Sequence, residues 1–350
     1  MHVLIVRLSS MGDLVQTLPA LTDAAKAIPE IRFDWVVDEA WVEVPRWHSS
    51  VDRVIPSAHR RWGKNFLASW KSGDFSRFRE TIRSTQYDAV VDVQTEWKSA
   101  VVARLAKGVR HGLRADSVHE WGAQFAYQKK FSLPENLHSI QRMRSLLSQA
   151  LNYSFDEKNV DYGIDRSKLL PVSIKIPSAY LVFIHSTSWE SKCWPQHYWQ
   201  DLIARSVADG FHVVLPWGNQ REREQAVKLA GDSKSVMVLP ELPLSEEASI
   251  LAGATAVVGG DTGLTHIAAA LSVPAVSLYG ATDPLLTGAL GQHQVHLMSN
   301  FECVKCHQTR CTYPKSAAFK PACFVEMTPD RVWIALSELS SATKSRRHEV

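Results

Sequence analysis

Three stretches of this 350-residue chain place chargeable side chains at the ends of short apolar runs. In the first, Val3-Leu4-Ile5-Val6 hands over through Ser9-Ser10-Met11-Gly12 to Asp13 and then to an apolar run with helical spacing from Leu14 to Ile28. A carboxylate at such a strand-to-helix turn can take the proton from a hydroxyl nucleophile. It can equally cap the helix, although Ser9 and Ser10 offer capping oxygens that leave Asp13 free for chemistry. The loop has one glycine rather than G-x-G-x-x-G, so no dinucleotide is expected there.

The second stretch runs from Ala254 to Pro284. A strand at Ala256–Val258 turns through Gly259-Gly260-Asp261-Thr262-Gly263-Leu264-Thr265-His266 into an apolar helix at Ile267–Leu271, and a second strand, Pro274–Tyr279, ends in Gly280-Ala281-Thr282-Asp283-Pro284. Backbone N–H groups and the positive end of a helix dipole converge beyond such a turn, which suits a phosphate. The plainer reading is a tight βαβ turn with Asp261 as a cap.

The third stretch follows a strand at Tyr180–His185 and carries Ser186, Thr187, Ser188 and Lys192. Hydroxyls and an ammonium beside a helix start match the charge that develops on a departing diphosphate, while a solvated loop lysine is the commoner fate of a lysine. Glu222, beyond the next strand, stands where doubly wound nucleotide sites put an acid on the ribose, or is one solvated charge in Arg221–Glu224. The chain has no Asp-x-Asp triplet, so a divalent cation on a nucleotide diphosphate is not expected.

Cys303, Cys306, Cys311 and Cys323 form C-x2-C-x4-C-x11-C, with Cys193 apart. That spacing suggests a structural Zn or Fe site, with His307 as a substitute ligand; four unconnected thiols in an irregular loop are the alternative.

These residues need a scaffold, and the pattern is α/β. Strands are expected at His2–Arg7, Arg32–Val37, Val51–Ile55 and Tyr87–Val93, alternating with helices at Phe75–Arg83, Lys98–Ala106 and His138–Leu151. A polar, proline-punctuated stretch, Ser154–Pro177, reads as a linker. The pattern then restarts at Tyr180, with strands at Phe211–Leu215 and Val236–Leu239 and helices at Arg221–Ala230 and Ser245–Leu251. Two doubly wound, Rossmann-like units result: a first domain at 1–165, a second at 166–327 carrying the cysteine-rich segment 303–323, and a C-terminal helix and loose tail at 328–350. Residues 1–170 hold 24 Lys and Arg against 20 Asp and Glu, and Arg46–Arg83 alone has nine basic residues, Lys71 among them, against three acidic. An anionic partner for the first half follows. Nucleic acid is not expected at a pI near 8.5. Met1-His2 leads straight into an apolar run too short for a signal or a membrane span, which points to a cytoplasmic protein.

The chain resembles the heptosyltransferases of lipopolysaccharide core assembly, glycosyltransferase family 9. The resemblance rests on Val3–Arg7 with Ser9–Asp13 and Thr17–Leu21, on Phe33–Val37, Arg60-Arg61-Trp62, Tyr87–Val90, Trp194-Pro195 with Trp199, Leu215–Gly218 and Asp261–His266. It implies a GT-B fold, two Rossmann-like domains facing across a cleft, and inverting transfer of L-glycero-D-manno-heptose from ADP-heptose to a Kdo residue of Kdo2-lipid A at the cytoplasmic face of the inner membrane. By the same resemblance Asp13 is the base. Thr187, Ser188, Lys192, Glu222, Asp261, Thr262, Gly263, Leu264 and His266 meet the donor, and Arg60, Arg61, Lys64 and Lys98 meet the acceptor. No cofactor is implied for catalysis. The four-cysteine segment departs from the nearest branch and leaves open a relative that uses heptose or a protein as acceptor. Outside the family, a nucleotide-dependent oxidoreductase and a non-catalytic nucleotide-binding module are the rivals.

Overall fold

The computed structural model describes residues 1–64 and 72–347, so Lys71 of the basic run lies outside the described residues. The chain divides into two units, Met1–Lys168 and Leu169–Val350.

In the first unit, β1 (His2–Val6) is followed by α1 (Met11–Ala27), β2 (Arg32–Asp38), β3 (Val51–Ser57), α2 (His59–Lys64), α3 (Asp74–Arg83), β4 (Gln86–Asp92), α4 (Trp97–Leu105), β5 (Lys107–Leu113), β6 (Lys129–Phe131) and α5 (Ser139–Leu151). The six strands form one parallel sheet in the order β3-β2-β1-β4-β5-β6. Val3, Leu4, Ile5 and Val6 are all fully buried, as expected for an unbroken apolar run flanked by strands on both sides. Each such side chain contributes about 1.5–3 kcal/mol on burial. β5 and β6 have no counterpart in the sequence reading. Lys107–Leu113 is polar and glycine-bearing, and its place depends on Tyr127, whose ring packs so closely over Gly112 that a Cβ there would lie 2.4 Å from it.

In the second unit, β7 (Tyr180–Ile184), α6 (Gln196–Ala208), β8 (His212–Leu215), α7 (Gln220–Ala230), β9 (Val236–Val238), α8 (Leu244–Gly253), β10 (Ala256–Gly260), α9 (Gly263–Ala270), β11 (Ala275–Tyr279), β12 (Gln294–Met298) and α10 (Pro329–Arg347) repeat the plan. This parallel sheet runs β12-β11-β10-β7-β8-β9. Its core gathers Phe183, Trp194 and Trp199, with Trp194 and Trp199 edge to face at 5.0 Å. The Trp194 indole N–H donates to the Met327 carbonyl at 2.8 Å and so pins the loop after β7.

Each strand order reverses direction at one point, between β1 and β4 in the first sheet and between β7 and β10 in the second. Neighbouring loops diverge there and leave a crevice at the carboxyl ends of the strands, where open α/β sheets bind ligands. The register pairs Val6 with Asp92 and Gly259 with Ile184. The loops bearing Asp13 and Lys98 therefore leave from one reversal, and those bearing Lys192 and Asp261 from the other.

Candidate active site

At the first reversal, Ser10 is the N-cap of α1, which starts three residues earlier than its apolar spacing suggests and makes Asp13 its third residue. Asp13 is thus not the cap itself. Its Oδ2 accepts from the Ser10 backbone N–H at 2.9 Å and the Ser10 hydroxyl at 2.7 Å, and the Asp13 backbone N–H faces the Ser10 side chain in return, which makes a capping box. Its Oδ1 lies 2.8 Å from the Arg7 guanidinium, and its side chain stays 35% exposed. Arg7 is in turn held by the Val93 carbonyl at 3.1 Å, and the Leu8 N–H donates to Gln94 at 2.7 Å. The sequence reading assigned Arg7 no role; a cation ending the first strand, six residues before the acid, was the available signal.

The basic residues lie along this sheet edge. Trp62 packs on Phe75 and Phe78 and anchors α2, which carries Arg60, Arg61 and the exposed Lys64. Arg60 pairs with Asp38 at 3.2 Å, and Arg61 pairs with both Glu39 and Asp74. Lys98 opens α4, 3.6 Å from Glu96. His59 is held below its ordinary pKa by burial, an effect that Asp38 opposes and the charges of Lys98 and Arg60 reinforce. Arg60 and Lys98 thus share one neighbourhood. Arg61 is the most committed of the four, since two carboxylates already occupy it.

At the second reversal, α9 begins at Gly263 with Thr262 as its N-cap, four residues before the apolar run that announces it. The amides of Gly263 and Leu264 therefore belong to a helix's first turn, where N–H groups point outward toward an anion. Asp261 is 8% exposed and gathers Lys192 at 2.8 Å, the Thr282 hydroxyl at 2.8 Å and the His266 ring at 3.4 Å. Burial disfavours its charge, yet His266 and the Lys192 ammonium overcome that and hold the carboxyl well below the usual range. The Lys192 ammonium also lies 4.4 Å over the Trp189 ring. Thr282 went unassigned in the sequence reading, though it sits in the glycine-bearing loop after the neighbouring strand.

Beside this cluster, the loop after β7 opens into a cavity of about 600 Å³ whose lining includes His185, Thr187, Ser188, Glu222 and Gln225 together with Thr309, Arg310 and Lys320. Burial lowers the His185 pKa from its ordinary value against the opposing pull of Glu222, and the ring Nε2 donates to the Glu222 carbonyl at 3.1 Å. The Glu222 carboxylate accepts from the Gly218 N–H at 2.7 Å, while Asn219 caps α7 through the Glu222 N–H at 3.1 Å. Of the predicted donor residues, Thr187, Ser188 and Glu222 thus share the cavity, whereas Lys192, Asp261 and His266 form the adjoining ionic cluster.

The expectation of a metal at the cysteines gains no support from the structure. Cys193, Cys303, Cys306, Cys311 and Cys323 are free, and among the described residues no three His, Cys, Asp or Glu side chains are gathered as a metal site. Cys323 is buried in the core, where a Cβ on Gly280 would lie 2.6 Å from its sulfur, while Cys306 is exposed. Burial, then the neighbouring thiols of Cys303, Cys306 and Cys311, pushes the Cys323 thiol up to about 12. His307 is exposed and completes no such group. The segment serves instead as cavity wall: the Ser191 N–H donates to the Thr309 carbonyl at 3.2 Å, and Arg310 lies 3.7 Å from Glu190.

Residues 75–317 match the model of glycosyltransferase family 9 (heptosyltransferase). The chain is 44% identical to lipopolysaccharide heptosyltransferase 1 of Pseudomonas aeruginosa over 99% of this chain and 100% of that protein. Among solved structures, E. coli heptosyltransferase WaaC with ADP superposes with a TM-score of 0.85 at 38% identity, over 97% of this chain and 100% of that one. WaaC with ADP-2-deoxy-2-fluoro heptose gives 0.82 at the same identity, over 97% and 99%. The two Rossmann-like sheets are those of the GT-B class, and the chain belongs to glycosyltransferase family 9, the heptosyltransferases.

Proposed function

We propose that this chain transfers L-glycero-D-manno-heptose from ADP-heptose to a Kdo residue of Kdo2-lipid A, with inversion at the anomeric carbon, and that it works at the cytoplasmic face of the inner membrane as a peripheral protein. The first unit takes the acceptor and the second takes the sugar nucleotide. The observation that carries the reading is the loop Ser186–Trp194. It sets two hydroxyls and a cavity the size of a nucleotide beside a lysine, and that lysine is fixed by a buried carboxylate at a helix start.

In the mechanism, Asp13 removes the proton from the acceptor hydroxyl as that oxygen attacks the anomeric carbon. The bond to the ADP oxygen lengthens through an oxocarbenium-like state. Negative charge then grows on the diphosphate, where the Lys192 ammonium and the first-turn amides of Gly263 and Leu264 meet it. Thr187 and Ser188 contact the nucleotide, Glu222 the ribose, and Asp261 with His266 the heptose side. Arg60, Arg61, Lys64 and Lys98 face the acceptor's carboxylates and phosphates.

The test is ADP release with ADP-heptose and de-O-acylated Kdo2-lipid A, with mass analysis of the product. Acceptor-dependent ADP release with one heptose added is expected. Release with heptose-bearing or protein acceptors but none with the Kdo acceptor would overturn the assignment.

A further inference from the structure

Among the described residues, the exposed aromatic side chains of the first unit are not scattered. Trp97 and Val101, one turn apart on α4, are 54% and 52% exposed, while Trp121 and Phe125 are 73% and 64% exposed. The second pair meet edge to face at 5.9 Å, and Gly122 between them packs so closely on Trp97 that a Cβ would lie 2.3 Å from its ring. All four thus form one surface patch. Water-facing aromatics in a group cost solubility and mark a contact surface.

The charges around the patch indicate what it contacts. Arg104 continues the Trp97–Val101 stripe another turn along α4, Lys98 follows Trp97 on the same helix, and Lys107, Lys129 and Lys130 are exposed on the paired strands β5 and β6. The acids of the region are engaged: Glu96 with Lys98 and Gln94, Glu120 with the Trp97 N–H at 2.8 Å, and Asp116 with Ser117 and Ser132. Indole and phenyl rings among lysines and arginines are the composition of a surface that rests in the headgroup region of an anionic bilayer. Lys98, one of the residues expected to meet the acceptor, directly follows Trp97 on α4, so the patch adjoins the expected acceptor side.

We propose that Trp97, Val101, Trp121 and Phe125 seat the first unit on the surface of an anionic phospholipid bilayer. This rests on the reading of the acceptor as a membrane lipid, and it assigns that lipid's approach to one face.

The test compares the full-length protein with its W121S/F125S variant, which leaves the predicted site residues intact. Cosedimentation with phosphatidylglycerol–phosphatidylethanolamine vesicles should weaken about tenfold or more in the variant. Tm and turnover on the de-O-acylated acceptor should stay at wild-type values, and KM should rise only for the fully acylated acceptor presented in vesicles. Equal vesicle binding by the two proteins overturns the proposal, as does equal wild-type binding to phosphatidylcholine vesicles. A change of oligomeric state in light scattering, with vesicle binding unchanged, reassigns the patch to self-association. Failure of heptose transfer by the wild type would instead strike the reading of function, because cosedimentation does not depend on turnover.

Discussion

Asp13 and Asp261 stand at the reversal points of two sheets built to the same plan, and their surroundings differ in kind. Asp261 is almost fully buried, with Lys192, His266 and Thr282 on its two oxygens and its charge held firmly. Asp13 remains about one-third exposed, steadied by Arg7 on one oxygen and Ser10 on the other. A carboxylate wrapped like Asp261 is a poor proton acceptor but a good anchor for a cation. One that is oriented yet reachable suits a base. The same residue type thus does two jobs, divided by burial and partners.

Asp13→Ala should break this contrast most severely. Loss of a positioned base costs roughly 10²–10⁴ in turnover, and ADP affinity measured by calorimetry should stay within a factor of a few of wild type. Wild-type turnover in the variant would reduce Asp13 to part of a helix cap. Lys192→Met should lower kcat by about 10²–10³, the scale for removing one preorganised charge at a developing oxyanion, and should also weaken ADP. If only KM for the acceptor moved, the lysine would not face the diphosphate.

A third outcome concerns stability. His48 is buried in the first unit and accepts from the Ser50 N–H at 3.1 Å through Nδ1, so its Nε2–H faces the Thr22 hydroxyl at 2.9 Å. Burial first, then Lys168, pushes its pKa down to about 4 against a weaker pull from Asp161. Between the ordinary value of 6.5 and about 4 the unfolded chain binds a proton that the native ring refuses. Stability is therefore fully present above that window and falls as pH drops through it, by about 2 kcal/mol at pH 5 from this ring alone. Urea unfolding midpoints at pH 7 and pH 5 read the loss, and His48→Gln should flatten the slope.

Much of this arrangement is legible in the chain itself, because Val3–Val6 and Ala256–Gly260 are unbroken apolar runs that only a buried parallel strand accommodates. Acids and lysines just beyond such runs were visible as candidates for the same reason. Partners made by tertiary closure were not. Nothing local announces that Thr282 reaches Asp261, that Tyr127 lays β5 down over Gly112, or that Arg310 walls a cavity opened 120 residues earlier in the chain. The helix start at Gly263 was legible because a glycine turn after an apolar strand leads directly into an apolar helical run. Spacing alone did not announce that Cys323 packs into the second unit's core with Cys303 against it.

Arg7 offers the finest test, because it sits between orientation and charge. It bridges Asp13 to the Val93 carbonyl and so ties the acid to the neighbouring strand across the reversal point. Arg7→Met keeps much of the buried stem's volume but removes both links. Asp13 would keep its Ser10 contacts and lose its lateral restraint. Misplacement by a fraction of an ångström should cost about tenfold in kcat, with the KM for ADP-heptose unchanged. Arg7→Lys, which restores the charge without the two-pronged geometry, should recover little of that loss if orientation governs and most of it if the charge alone matters. The two variants together therefore decide whether the first unit's acid is held by direction or by field.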